Sequence, residues 1–210
     1  MRYESTRNNT IQMTAAEAIL QGIAPDRGLY VPVEFPKLDV DSWAGLSYEE
    51  TAYKVLSPFL AEFSEEILRK MIHKAYGHGF EVEEITPLRG IGSMKHLELF
   101  HGRTAAFKDM ALSILPHLMK GSEDVLMAKE KIMILTATSG DTGKAALEGF
   151  AYAEGTSIVV FYPKDGVSEV QKRQMTSQKG YNTFVYGVDG NFDDVQTRVK
   201  EIFVDDDVRR

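Results

Sequence analysis

The segment "KIMILTATSGDTGKAAL", residues 131–147, decides the fold that we predict for this chain. It begins with a nearly unbroken apolar run, passes through a loop of small and hydroxyl-bearing residues, and ends in the apolar spacing of a helix. A continuous apolar run bounded by such a loop is typical of a parallel strand that is buried on both faces of a sheet. The segment therefore predicts a buried strand, a loop and a helix that packs back on the sheet.

The same order of patterns recurs on both sides of this segment. Three further apolar runs are "LELFHG" at 97–102, "SIVVFYP" at 157–163 and "NTFVYGV" at 182–188, and each precedes a helical pattern. Alternating strands and helices predict an α/β fold with an open, mainly parallel, doubly wound sheet in residues 91–210. Ligands of such sheets bind beyond the carboxyl ends of the strands, so we expect function in the loops after Phe100 and Leu135.

Residues 1–90 follow a different, mostly helical pattern and are predicted to form a separate N-terminal domain. Thr14 and Glu17 have the spacing of a capping box at the start of one helix, and Ser47 and Glu50 have that spacing at the start of another. A third helix is predicted for "SEEILRKMIHKAY", with Ile67, Leu68, Met71, Ile72 and Ala75 on one apolar face.

Composition excludes several classes of function. The 210 residues contain no cysteine, which excludes disulfides and thiolate sites and favours a reducing compartment. The net charge of −7 and the lack of a basic stripe argue against a nucleic-acid partner. No apolar run approaches the roughly 20 residues of a membrane span, and "MRYESTRNNT" has no signal-peptide pattern. We therefore expect a cytoplasmic protein without membrane contact.

Metal catalysis is not expected from the histidines. His73 and His78 are five residues apart, rather than the three or four that place two side chains on one helical face, and no H-E-x-x-H motif occurs.

The loop Thr138–Gly143 favours a bound anion. It brings hydroxyl groups and unpaired backbone N–H groups to the start of a helix, where the helix dipole is positive. It is not a Walker A loop, which requires Gly where Thr138 stands and Ser or Thr where Ala145 stands. The alternative, that these side chains only cap the helix, stays open at this point.

Lys108, in "AAFKDMAL", is a candidate nucleophile. The positive end of a helix disfavours a lysine, so a lysine that is partly buried there has a lowered pKa and suits imine chemistry. Together with the anion loop, such an amine indicates a site for pyridoxal phosphate (PLP) or for a carboxylate substrate. A solvated surface lysine is the alternative reading.

These segments resemble the threonine synthase family of PLP enzymes, which has the tryptophan-synthase-like fold. "LFHGRTAAFKDMAL" is similar to the family's PLP-lysine segment, and "TATSGDTGKAA" is similar to its substrate-carboxylate loop. Further similar blocks are "YESTRNN", "EAILQGIAPDRGLYVP", "GVSEVQKRQMTSQKGYN" and "VDGNFDDVQTRVKEIF". The resemblance runs from Tyr3 to Phe203.

The resemblance implies conversion of O-phospho-L-homoserine and water to L-threonine and phosphate. It implies that Lys108 holds PLP covalently and then moves protons at the substrate's α and β carbons. The substrate carboxylate is expected on Thr138, Ser139, Gly140 and Thr142, and Asp141 is expected to face the cofactor's ring oxygen. Arg103 and Asp141 depart from the family's common pattern, which has Pro at the first position and, in the wider fold type, often Asn at the second.

The resemblance also implies a missing part, because members of the family are longer and contain a large PLP domain with a glycine-rich phosphate cup. No such cup follows Lys108, so the chain resembles an N-terminal fragment that consists of domains 1–90 and 91–210. We expect such a fragment to be inactive alone and to bind PLP weakly. We also expect it to self-associate through an exposed apolar face near Met110, Ile114 and the helix after Gly143.

Two other functions fit the same residues. One is a PLP-dependent phospholyase that acts on a related phosphorylated amino acid. The other is a non-catalytic module that binds a small anion or a partner protein through the Thr138–Gly143 loop.

Overall fold

The computed structural model describes residues 1–129, 131–203 and 205, which divide by their contacts into two units. The first unit comprises Met1–Glu98 and Ser113–Lys129, and the second comprises Leu99–Leu112 and the described residues after 130. These units differ from the predicted division at residue 90 because 113–129 packs with the first unit. The division into domains 1–90 and 91–210 stays a prediction.

The helices and strands follow one another in a fixed order along the chain. They are β1 (Tyr3–Ser5), β2 (Gln12–Met13), α1 (Ala15–Gln21), β3 (Tyr30–Pro32), α2 (Tyr48–Leu56), α3 (Glu65–Tyr76), β4 (Leu88–Ile91), β5 (Met94–Leu97), α4 (Asp109–Leu112), α5 (Leu115–Leu126), β6 (Ile132–Ala137), α6 (Asp141–Phe150), β7 (Thr156–Pro163), α7 (Glu169–Thr176), β8 (Thr183–Val188) and α8 (Phe192–Phe203).

The helix starts of the first unit follow their sequence signals with one exception. The hydroxyl of Thr14 accepts a hydrogen bond from the N–H of Glu17, and the carboxylate of Glu17 accepts one from the N–H of Thr14 at 2.7 Å. Ser47 caps α2 in the same way, but the carboxylate of Glu50 pairs instead with Arg69 of α3 at 2.7 Å. Only the serine half of the second predicted capping box is therefore formed.

The core of the first unit forms where α5 packs against α1 and α3. Four of the five apolar residues predicted on one face of α3 are buried, whereas Ile67 is exposed. On α5, Gly121 lies so close to Met71 and Phe63 that a Cβ atom there would overlap Met71. This close approach accounts for the grouping of α5 with residues that precede it by about 50 positions.

The second unit is built on a parallel three-stranded sheet with the order β6-β7-β8. Val160 of β7 contacts the Gly143 region of α6, while the next residue, Phe161, lines a cavity of about 540 Å³ beside α8. Successive strand residues point to opposite faces, so α6 and α8 cover opposite faces of the sheet. The α/β class is confirmed, but the reversal of strand order that defines a doubly wound sheet does not occur among the described strands.

The strand predicted for "LELFHG" is wrong. Leu97 is the last residue of β5, where it pairs with Leu88 in an antiparallel hairpin, and residues 98–102 belong to no strand. An apolar run becomes a strand only where another strand offers hydrogen bonds, and here pairing with β4 ends at Leu97, with one further bond from the N–H of Glu98 to the carbonyl of Pro87 at 3.0 Å.

The prediction of an exposed apolar face near Met110, Ile114 and the helix after Gly143 is wrong for Ile114 and for that helix, whereas Met110 is half-buried. Ile114 is only 7% exposed, and the apolar residues of α6 are buried. Exposed apolar side chains occur instead on the β4–β5 hairpin, at Leu88, Ile91, Met94 and Leu97. Self-association of the chain stays a prediction.

None of the helices in the described part of the chain has the length and apolar character that crossing a membrane requires.

Asn182, which precedes β8 and is 3% exposed, ties three elements of the second unit together. Its amide group donates hydrogen bonds to the carbonyls of Phe150 at 2.9 Å and Thr156 at 3.1 Å, and its oxygen accepts one from the N–H of Tyr152 at 2.9 Å. The end of α6, the start of β7 and the start of β8 thus depend on one side chain.

We expect Asn182→Ala to lower the free energy of unfolding by about 2–4 kcal/mol, because buried carbonyls and an N–H group lose their partners. Urea denaturation of the purified chain measures the effect. Asn9→Ala, which removes an exposed asparagine from a turn, is the control and is expected to change stability by less than about 0.5 kcal/mol. Equal stabilities of the Asn182→Ala and Asn9→Ala variants would contradict this role.

Candidate functional site

The loop between β6 and α6 is organised around the hydroxyl group of Thr138, which is only 2% exposed. This oxygen accepts hydrogen bonds from the N–H of Gly140 at 3.0 Å and from the N–H of Gly143 at 2.9 Å. Thr138 was predicted as a substrate contact, but its hydroxyl is occupied inside the loop. Its structural effect is to curl residues 139–143 around one buried atom.

Two glycines allow the loop to curl. Gly140 has φ 150° and ψ −101°, a backbone conformation that side chains other than hydrogen disfavour. A Cβ atom at Gly143 would overlap the side chain of Thr138 and lie 3.0 Å from the side chain of Val160. Any larger residue would therefore push α6 away from the sheet.

The start of α6 leaves donor groups for a ligand. Asp141 and Thr142 are the first two helical residues, and the geometry of a helix provides no carbonyl acceptor for N–H groups at these positions. The side chains of Ser139, Asp141 and Thr142 are exposed around them. With the positive end of the α6 dipole, these groups can bind a carboxylate or phosphate oxygen.

Lys108 immediately precedes α4, as the sequence predicts, and is half-buried. Its carbonyl accepts a hydrogen bond from the N–H of Leu112 at 3.0 Å, so its backbone belongs to the first helical turn. Its ammonium nitrogen lies 4.5 Å from the centre of the Phe107 ring, within the range of a cation–π contact. The exposed Phe107 thus shields one side of the amine.

Asp109, which the sequence analysis did not identify, braces the loop that presents Lys108. Its carboxylate is 4% exposed and accepts hydrogen bonds from the N–H of Thr104 at 2.8 Å and from the hydroxyl of Thr104 at 2.6 Å. Gly102 lies so close that a Cβ atom there would come within 2.5 Å of a carboxylate oxygen of Asp109. The sequence signal was an acid directly after the candidate lysine, but neither its burial nor its partner Thr104 could be inferred from the sequence.

The Lys108 segment and the anion loop belong to the same unit and are connected through α6. The backbone of Leu112 lies against Gly149 in the second half of α6. Arg103 pairs with Glu148 at 3.6 Å, and Glu148 also pairs with Lys144 at 3.2 Å. The anion loop forms the start of the same helix, so the position of α6 determines the positions of both segments.

No group of three or more His, Asp or Glu side chains is placed to hold a metal ion within residues 1–129, 131–203 and 205. His73 instead contacts the carboxylate of Glu49 through Nδ1 at 3.1 Å.

We expect Asp109→Asn to loosen the Lys108 loop, because an amide offers only one acceptor oxygen to the two donors of Thr104. The expected loss is about 1–3 kcal/mol of local stability, measured as faster hydrogen exchange of the amides in residues 102–108. Asp165→Asn, at an exposed acid in the same unit, is the matched control. Unchanged exchange in residues 102–108 would refute the bracing role of Asp109.

Comparisons with known proteins relate both units to one family. Residues 2–76 match the family described as threonine synthase N terminus. The chain is 42% identical over 212 residues to the threonine synthase of Pseudomonas aeruginosa, and this match covers 98% of the chain and 44% of that protein. It is 39% identical over 204 residues to human threonine synthase-like 1, covering 91% of the chain and 27% of that protein.

Solved structures agree with these matches. The PLP-bound threonine synthase of Brucella melitensis superposes with a TM-score of 0.88 at 39% identity, over 99% of this chain and 45% of that one. The Escherichia coli threonine synthase superposes with a TM-score of 0.87 at 28% identity, over 100% of this chain and 47% of that one. The chain thus spans less than half the length of each of these proteins. In sequence and in fold, nearly the whole chain is therefore similar to the N-terminal portion of threonine synthases.

Proposed function

We propose that this chain supplies the lysine and the carboxylate-binding loop of a PLP-dependent threonine synthase. The reaction is the conversion of O-phospho-L-homoserine and water to L-threonine and phosphate. The observation that carries the proposal is the occurrence, in one compact unit, of a braced, half-buried lysine and a helix-start anion loop. The similarity to threonine synthases over 98% of the chain supports the same assignment.

The donor groups of the described residues fit PLP. Lys108 offers a primary amine for covalent attachment, and the first turn of α6 offers N–H groups for a negatively charged ligand. No glycine-rich phosphate cup follows Lys108 in the sequence. We assign that cup to the part of a threonine synthase that this chain does not match.

The residues have separate tasks in this proposal. The amine of Lys108 holds the cofactor and then moves protons at the α and β carbons of the substrate. The N–H groups of Asp141 and Thr142 and the hydroxyls of Ser139 and Thr142 bind the substrate carboxylate, while Gly140 and Thr138 contribute by fixing the loop that carries these donors. Asp141 would lie on the cofactor side of the loop, where its carboxylate would accept a hydrogen bond from a protonated ring oxygen of the cofactor. Bound PLP supplies an electron sink next to the substrate amine, which permits loss of phosphate from the γ carbon.

The partner in this proposal is a small anionic amino acid, and the compartment is the cytoplasm. The absence of cysteine from the 210 residues supports a reducing compartment, and the net charge of −7 supports the absence of a nucleic-acid partner.

We expect the isolated chain to bind PLP weakly and through Lys108, because only part of the site is present. Titration with PLP, followed near the visible edge of the absorbance spectrum, measures the affinity. Borohydride reduction and peptide mapping then identify the labelled lysine, with Lys108→Arg as the control. Tight one-to-one binding would contradict the incomplete site, and equal labelling of exposed lysines would contradict the role of Lys108.

Activity is tested in a chimera that joins this chain to the remaining part of the Pseudomonas aeruginosa threonine synthase. We expect PLP-dependent release of phosphate from O-phospho-L-homoserine together with formation of threonine. Lys108→Ala is expected to lower the rate by about 10²- to 10⁴-fold, because the proton-transferring amine is lost. Lys164→Ala, which removes an exposed lysine of the same unit, is the control and is expected to retain the rate.

The products distinguish the competing functions. Phosphate release without threonine would favour a phospholyase. A folded, PLP-binding chimera that releases no phosphate would favour a non-catalytic anion-binding module.

A further inference from the structure

The side-chain amide of Gln171, on α7, connects two parts of the second unit. Its oxygen accepts hydrogen bonds from the hydroxyl of Ser168 at 3.0 Å and from the N–H of Ser168 at 3.3 Å. Since these groups are donors, the oxygen must face them, and the NH₂ group must face away. The NH₂ group donates to the carboxylate of Asp141 at 3.0 Å.

The first contact alone does not explain why residue 171 is glutamine. Ser168 and Gln171 form a capping box for α7, and a capping box accepts glutamate as readily as glutamine at this position. A glutamate would retain both bonds to Ser168. It would, however, place a second carboxylate against Asp141, where a donor now stands.

The contact between Gln171 and Asp141 lies next to Gly140, where the anion loop bends. The amide of Gln171 packs so closely on Gly140 that a Cβ atom there would overlap it. On its other side, the N–H of Gly140 is held by the hydroxyl of Thr138 at 3.0 Å. The unusual backbone conformation of Gly140 is therefore fixed by two contacts, one from Thr138, which follows β6, and one from α7.

We propose that Gln171 is a positioning residue for the anion loop, residues 138–143. It holds the Asp141 carboxylate and the Gly140 bend, so that the N–H groups of Asp141 and Thr142 stay directed at a bound carboxylate. Its amide is matched to the acid at position 141, and the two residues act as one donor–acceptor pair. The identity of the ligand rests on the proposed function, whereas the pairing itself rests on the contacts above.

The test exchanges donor and acceptor within the pair. Amide NMR signals of residues 139–143 are compared in the wild-type chain, Gln171→Glu, Asp141→Asn and the double variant Asp141→Asn/Gln171→Glu. We expect Gln171→Glu to shift these signals and to make them titrate between about pH 4 and pH 7, because two adjacent carboxylates must share a proton. The double variant has the wild-type charge and an amide at 141 that donates to the new carboxylate, so most of the shift is expected to be reversed.

Two controls separate positioning from folding and from charge. Circular dichroism is expected to show unchanged helix content in Gln171→Glu, because glutamate retains the capping box. Gln174→Glu adds the same charge to the same helix and is expected to leave the signals of 139–143 in place. If Gln171→Glu moves these signals no more than Gln174→Glu does, or if the double variant is no closer to wild type than the single variant, the proposal is overturned.

A ligand titration of the chimera distinguishes this proposal from the proposed function. With PLP present, we expect O-phospho-L-homoserine to bind at least about tenfold more weakly to Gln171→Glu than to wild type, and the double variant to recover most of the loss. If wild type does not bind this substrate at all, the proposed function fails, while the NMR result still decides the pairing. Wild-type affinity in Gln171→Glu would overturn the positioning role.

Discussion

The arrangement of the second unit depends on the hydrogen bonds that the hydroxyl group of Thr138 accepts. By accepting hydrogen bonds from the N–H groups of Gly140 and Gly143, it turns the chain from β6 directly into α6. The same turn brings Gly143 against Val160, so that α6 lies close on the sheet. Because α6 in turn packs against Leu112, the position of the Lys108 segment follows from a turn about 30 residues later in the chain.

Much of this fold could be predicted because its signals are local. The runs "KIMILTAT" and "NTFVYGV" contain β6 and β8, the run "SIVVFYP" covers all of β7 except its first residue, and the capping box at Thr14 marks the start of α1. The run "LELFHG" misled because strand formation needs a partner, which a single apolar run does not reveal. The missed signal was the Gly92-Ser93 pair between Ile91 and Met94, where Gly92 has φ 60° and allows a tight hairpin turn.

The sequence singles out the two segments of the candidate site but not the residues that hold these segments in place. Lys108 stands out because a lysine is disfavoured at a helix start, and the 138–143 loop stands out because it follows a buried strand with several small and hydroxyl-bearing residues. Asp109 and Gln171 act through partners 5 and 30 residues away, which only the folded chain brings into contact. The hydroxyl of Thr138 was predicted to contact a ligand, but in the structure it accepts hydrogen bonds from backbone N–H groups of its own loop.

The grouping of α5 with the first unit means that the chain passes between the two units at three places, near residues 98, 112 and 130. No single peptide bond can therefore be cut to give two whole units. A piece that began at residue 91 would carry α5 without α1 and α3, and Leu118 and Met119 would lose the partners that bury them. The lysine segment is accordingly fixed at both ends to residues of the first unit, and recombination between relatives would need two junctions to exchange it without breaking that core.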